Sequence, residues 1–362
     1  MIDKRSRFVN LSLYSSIILF LNMFLTACGV MPLPQDYHPV EFTEKPSPHG
    51  ENKFPNWPEP PQVIENRVSK DITSGQRSGK AIAQQAHQTA AGISGADKVL
   101  VTFPGLHKEI KFKWKAALSE KDGMENYDNS ISRNLATYQI QKLFLEPEDY
   151  VIPTSMVYCI PAQNYSQILK LEATPQIEGS DCIFGNASVW MQDVKVPEVV
   201  FVEQHFLTNS NYAYFLSNLN ILAYLVEHRD GRSGNILASK DNDRPQLFII
   251  DNDTTFGTNP YNPFANNWNI IRVPALRKET IDRLRSIKRR DLEFLGVVAQ
   301  LDKGSDKVFR NVKPEKNMNP RKSVRISEST VQFGLSKGQI DDVWKRVKVL
   351  LKRIDSGEIP VF

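Results

Sequence analysis

Between residues 98 and 116 apolar and polar positions alternate in two short runs, VLVTF and KEIKFKWKA, separated by a Pro104-Gly105 turn. In the second run Ile110, Phe112 and Trp114 alternate with Lys111, Lys113 and Lys115, a period of two that predicts a strand with one apolar and one lysine-bearing face. The period then lengthens. ISRNLATYQIQKLFL places Ile131, Leu135, Tyr138 and Leu143 at near-helical spacing, and YVIPTSMVYCIP and ASVWMQDVKVP read as strands again. Beyond residue 200 the helical period dominates, in NYAYFLSNLNILAYLVEH, TIDRLRSI and QIDDVWKRVKVLLKRI. These helices frame a loop-rich stretch that contains one apolar strand, QLFII. The order predicts an α+β chain in two lobes, strand-rich over 98–200 and mostly helical over 201–362, with polar loops at the junction. There are no internal repeats.

The first 97 residues follow neither period. Lys4, Arg5 and Arg7 precede a largely apolar run, 8–27, which reads as the charged and hydrophobic regions of an export signal. The run ends in Leu25-Thr26-Ala27-Cys28-Gly29, small residues and a Cys where a signal peptidase would cut. This resembles a bacterial lipobox. It implies that 1–28 is a lipoprotein signal peptide, that Cys28 carries the lipid, and that the protein is held to a membrane of the bacterial cell envelope, in the outer membrane or periplasm or at the cell surface. The alternative is a plain transmembrane anchor, because the run approaches the roughly 20 residues that span a bilayer. The position of the Cys at the end of the apolar run favours the lipobox.

Residues 29–62 hold nine prolines and few aliphatics, too little apolar surface to order themselves, and read as a tether. Residues 63–97 are a polar extension rich in Ala, Gln and Ser, with room for a helix but no motif. Outside the cytoplasm Cys159 and Cys182 read as either a disulfide or two buried thiols.

Composition narrows the field further. The chain has 362 residues, 41% hydrophobic and 24% charged, with a net charge of +4. That is enough for a large core, and the positive charge is too small and too dispersed for a nucleic-acid partner. The run Lys288-Arg289-Arg290 reads as a solvated helix face.

The chemistry is concentrated in HRDGRSGNILASKDNDRPQLFIIDNDTTFG, residues 228–257. Phosphoryl transfer needs a carboxylate to orient the attacking hydroxyl and oxygen ligands to hold magnesium or manganese on the phosphates. Asp230, Asn235 five residues later, and Asp251 after a strand have the spacing of such a set. Asp241-Asn242-Asp243-Arg244-Pro245 reads as the hairpin turn between two strands. A calcium loop is excluded for DNDTTFG, because its sixth position is Phe256 where Gly is needed and its twelfth is Asn262 where Glu is needed. The histidines show no metal spacing, and no Gly-x-Ser-x-Gly or Cys-His pattern points to hydrolysis.

DNDTTFG is similar to the D-N-G-x-x-F-G of the secretory-pathway kinases of the four-jointed and Golgi casein kinase type. Gly234-Asn235 likewise resembles the end of the D-R-H-x-G-N loop of that group and of phosphoinositide-kinase-like proteins. Residues 134–155 and WNIIRVPALRKETIDRLRSI resemble further segments of the group, so the likeness spans about residues 98 to 355. It implies a bilobal protein-kinase-like fold that binds ATP with Mg or Mn and transfers phosphate to a hydroxyl of a protein or glycan. Carried over, Asp230 is the catalytic carboxylate, and Asn235 and Asp251 are metal ligands. Asp253 stands where the family has Gly and adds a metal-facing carboxylate. Lys115 is the phosphate-binding lysine, with Lys113 as its competitor on the same face. The adenine-holding hinge falls near residues 190–193. Two departures favour the alternative, an inactive pseudokinase acting as an envelope binding or scaffold protein. The family's helix Glu aligns with Asn134 and an Asp with Gln141, and 94–109 offers only Gly95 and Gly105 for a glycine-rich loop.

Overall fold

The structure, a computed structural model, describes residues 53–83, 98–104, 109–117, 130–170, 172, 174–242, 244–257 and 268–362. The signal segment 1–28 with Cys28, the tether as far as residue 52, and Gly95, Gly105 and Asn262 lie outside the described residues. Among the described residues no helix is long and apolar enough to cross a membrane.

The lysine-bearing strand is the centre of a five-stranded antiparallel sheet, order β1-β2-β3-β5-β4. Its strands are β1 (Lys80–Ala83), β2 (Lys98–Phe103), β3 (Ile110–Ala116), β4 (Ser155–Pro161) and β5 (Cys182–Val189). Ile110, Phe112 and Trp114 are fully buried, so the period-two pattern decides which face of β3 meets the core. Cys159 on β4 and Cys182 on β5 have Cα atoms 5.6 Å apart and are joined as a disulfide.

Ahead of the sheet lies α1 (Pro61–Ser74), and between β3 and β4 lies α2 (Ile131–Gln141), which packs on β4 and β5. Ser130 caps α2 by accepting from the Arg133 N–H. At the other end the Gln141 carboxamide accepts from the N–H groups of Val151 at 3.1 Å and Ile152 at 3.0 Å and donates to the Ile152 carbonyl at 3.0 Å. A buried amide thereby fixes the turn from α2 into β4. The short helix α3 (Ala162–Leu169) follows β4.

Residues 190–193 join β5 to β6 (Val194–Lys195), the edge of a small sheet, β6-β7-β8, whose other strands are β7 (Ile236–Ser239) and β8 (Leu247–Ile249). β7 and β8 form the hairpin that the Asp241–Pro245 turn predicts, Ile236 pairing with Ile249. After α4 (Glu203–Thr208), the helix α5 (Ser210–Leu225) is buried on nearly every side, as a helix apolar all round must be. α6 (Lys278–Ser286) and α7 (Lys337–Asp355) complete the helical lobe.

Two regions differ from the sequence expectation. The 201–362 half carries an antiparallel sheet, β9 (Ala299–Lys303), β10 (Phe309–Val312), β11 (Val324–Ile326) and β12 (Thr330–Phe333), order β10-β9-β12-β11. Phe309 and Phe333 of this sheet meet Phe184 of β5 at centroid distances of 5.3 and 6.3 Å, so the C-terminal half backs the N-lobe as well.

The second difference is at the N-terminus, where residues 53–62 belong to the folded body and not to a tether. Trp57 is buried edge-on against Phe248 of β8 at 6.0 Å, and the Asn56 amide donates to the Gln192 carbonyl at 3.0 Å. α1 buries Ile64, Val68 and Ile72, and its Glu65 accepts from the Tyr138 hydroxyl and, at 2.5 Å, from Lys142 on the α2 side. The polar extension also supplies β1, so the strand-rich lobe starts before residue 98.

Candidate functional site

Asp230, Asn235, Asp251 and Asp253 come from the two ends of the β7-β8 hairpin, and the hairpin brings them together. The Asn235 amide donates to the Asp230 carboxylate at 2.7 Å and to the Asp230 carbonyl at 2.8 Å. Its backbone carbonyl accepts from the Ile250 N–H at 2.8 Å, which holds the Asp230–Asn235 loop beside the start of the Asp251 loop. With the amide nitrogen committed to Asp230, the side-chain oxygen is the donor left for a cation.

Asp251 stands at φ +63°, left-handed backbone that a non-Gly residue adopts at a cost of about 1–3 kcal/mol. Its carboxylate forms an ion pair with Lys115, whose ammonium also lies 3.4 Å from Asp253 Oδ2. Lys115 is therefore the lysine that reaches the loops. Lys113 adds its positive field at Asp251.

Burial opposes the charge on Asp251, but Lys115 and Lys113 outweigh it and hold this carboxyl down at about 2. Burial also opposes the Lys115 charge, and Asp253 with Asp251 overcomes it, so the ammonium is held above its ordinary value. Asp230 shifts the other way. Burial raises it and Asp251 adds repulsion, against partial relief from Arg232, whose Nε lies 3.0 Å away, and from Asn235. A carboxylate whose proton affinity is raised suits a group that must take a proton from an acceptor hydroxyl. His228, fully buried, is pushed down to about 4 by burial and stays neutral.

The donor set fits a hard divalent cation in part-protein coordination. It offers two carboxylates and one amide oxygen, the kind of set that magnesium completes with phosphate oxygens and water. Among the described residues no group of three or more His, Cys, Asp or Glu side chains could form an all-protein cage.

Asn134 does not take the place of the helix acid. Its amide turns back to the Ser130 carbonyl at 2.9 Å. The residue before it does reach the site. Arg133, buried on the same helix, donates from Nη1 to the Asp253 carbonyl at 3.2 Å, and one turn on Thr137 Oγ1 lies 3.2 Å from Thr255 Oγ1. Sequence reasoning missed both, although Arg133 and Thr137 are four apart and so share a helix face. Gln141 is the structural amide described above. The connection between β1 and β2 is 84–97, which takes in Gly95 but begins ten residues before the 94–109 stretch, and it lies outside the described residues.

A strand-rich lobe with a lysine on its third strand, facing an Asp-x-x-x-x-Asn loop and a following aspartate across a helical lobe, defines a protein-kinase-like α+β fold of atypical kind. No protein-family model matches this sequence, and no curated protein matches it. Solved structures similar to it include the following two. One is a crystal structure of the Golgi casein kinase with Mn/ADP bound, 13% identical, covering 83% of this chain and 79% of that chain with a TM-score of 0.47. The other is a crystal structure of the Golgi casein kinase, 13% identical, covering 80% of this chain and 74% of that chain with a TM-score of 0.45.

Proposed function

We propose that this chain is an exported lipoprotein kinase that binds ATP with Mg or Mn in the cleft and transfers the terminal phosphate to a hydroxyl of a protein or glycan. The observation that carries the reading is the meeting of Lys115 with Asp251 and Asp253 beside the bonded pair Asp230 and Asn235. Lys115 holds the nucleotide phosphates, and Arg133 fixes the metal loop from the helix side. Asp230 orients the acceptor hydroxyl and takes its proton as the new O–P bond forms and ADP leaves. Asn235, Asp251 and Asp253 would hold a divalent cation, which would supply charge neutralisation at the transferring phosphate. The lipid at Cys28 anchors the protein to the cell envelope, and the Cys159–Cys182 bridge favours that oxidising location.

A second reading, a pseudokinase used as an envelope scaffold, draws on Asn134. With its side chain turned to Ser130, Lys115 gains no acid from α2 and is held by the metal-loop carboxylates.

A thermal melt of the chain from residue 29, with ATP and either Mg or Mn, tests nucleotide binding. A metal-dependent rise in Tm that disappears in Asp251→Ala is expected, and no rise under either metal would overturn the nucleotide site. A phosphoacceptor screen then separates the readings. Transfer lost in Asp230→Asn establishes the enzyme, and ATP binding without transfer to any acceptor leaves the scaffold.

A further inference from the structure

The residue just before His228-Arg229-Asp230 stands in a backbone conformation unusual for its type. Glu227 has φ +49°, left-handed backbone at a side chain with a Cβ. Such a conformation persists only where the surroundings impose it, and here the surroundings are two arginines and a glycine. The Glu227 carboxylate accepts from Arg229 at 2.7 and 3.2 Å and from Arg346 Nη1 at 2.9 Å. Arg346 belongs to α7, and its Nε donates to the Leu225 carbonyl at 2.7 Å, so α7 grips the entry to the catalytic loop twice.

The metal loop closes on the same carboxylate. The Phe256 N–H donates to the Val226 carbonyl at 2.6 Å, and Gly257, at φ +77°, runs so near that a Cβ there would lie 2.5 Å from Glu227 Oε2. Phe256 is itself left-handed at φ +62°. Three segments distant in sequence therefore converge on one carboxylate: the catalytic loop, the end of the DNDTTFG loop, and the C-terminal helix. A carboxylate bonded to two arginines is worth more than an exposed pair, because removing its charge weakens a bond to both guanidinium groups at once.

We propose that Glu227 is a positioning residue that holds the catalytic and metal loops in register, so that the placement of Asp230 and Asp251 depends on α7 through Arg346. Glu227 is set behind the reacting groups and acts through Arg229 and the two loops. The assignment rests on the kinase reading for the roles of Asp230 and Asp251, but the coupling of the loops is a mechanical statement that can be tested without it.

The test uses Glu227→Gln, which keeps the shape and removes the charge, and, independently, Arg346→Gln. Hydrogen exchange is followed by segment, alongside titration with Mn–ATP. In each variant exchange in 228–235 and 251–257 is expected to rise together by about tenfold or more, with β2 and β3 unchanged, and Mn–ATP affinity to fall about tenfold. The double variant should lose less than the sum of the two single ones, because the Glu227–Arg346 bond is removed in both. Loops as protected as in the unaltered chain, or exchange raised evenly over β2 and β3 as well, would overturn the proposal and leave an ordinary stabilising ion pair. If the unaltered chain does not bind Mn–ATP, the kinase reading fails, and the loop exchange still decides the coupling.

Discussion

The two ends of α2 use polar side chains in opposite ways. At the C-terminal end Gln141 is neutral, fully buried, and has both ends of its carboxamide committed to backbone groups of Val151 and Ile152. Asn220 behaves alike in the other lobe, donating to the carbonyls of Trp268 and Ile270 and accepting from the N–H groups of Arg272 and Val273. At the N-terminal end, charge meets charge. Arg133 holds Asp253 through its carbonyl, and one ammonium serves two carboxylates, of which Asp251 keeps a side chain 31% exposed. A saturated amide has nothing left for a ligand and contributes rigidity. Two like charges around one counter-charge contribute little net stability, and their oxygens remain exchangeable for a cation.

Breaking the rigid end should cost most. Gln141→Ala strands three buried backbone groups, an expected loss of about 4 kcal/mol and a fall in Tm of roughly 10 °C in a differential scan. A loss under about 1 kcal/mol would show that water replaces the amide and that the contrast is overdrawn.

His228 sharpens the contrast, since it is as buried as Gln141 but titratable. Its ordinary value is near 6.5 and burial holds it at about 4 in the fold. Between those values the unfolded chain binds the proton and the folded chain does not. Stability therefore falls as pH drops from about 6.5 towards 4, by about 3 kcal/mol from this group. Denaturant midpoints measured across that window should show the slope, and His228→Gln should flatten it. An unchanged slope in the variant would assign it to other groups.

The smallest effect on stability is expected at the charged end. Asp253→Asn should change stability by no more than about 1 kcal/mol, because it relieves like-charge repulsion as it weakens the bond to Lys115. Affinity for Mn–ATP in the same variant should fall at least about tenfold. A loss of stability to match Gln141→Ala would place Asp253 with the structural amides.

What the sequence made legible follows the same division. The spacing of Asp230, Asn235 and Asp251 survives in a linear reading because one short hairpin delivers all three, and the alternation in β3 is clean because one face is fully buried. The sheet β9 to β12 was not legible. Its strands are three to five residues long, and polar side chains point inward, with Gln300, Arg325 and Gln332 all buried. Gln332 donates to Gln300 at 2.9 Å, and Arg325 spends its guanidinium on the carbonyls of Asn319, Gly296 and Leu335. Period-two reasoning expects apolar residues at such positions, so the pattern vanished.

At α1 the sequence showed room for a helix but not its bounds, for another reason. Pro61 at its start, Ile64, Val68 and Ile72 at intervals of four, and Gly75 at φ +70° just past its end are ordinary helix signals. They straddle the point where the proline-rich composition fades. Arg133 went unread because its partner lies in the other lobe, more than a hundred residues away in sequence, and no local period reports such a pair.

The docking of residues 53–62 sets a distance as well as a contact. The folded body includes residues 53–62, so on the anchor proposed at Cys28 the span of chain from the lipid to the body is shorter by about 35 Å at full extension. The strap also reaches the body beside the Gln192 carbonyl, in the link between the lobes. On that proposal, a pull from the anchor is delivered to the link between β5 and β6.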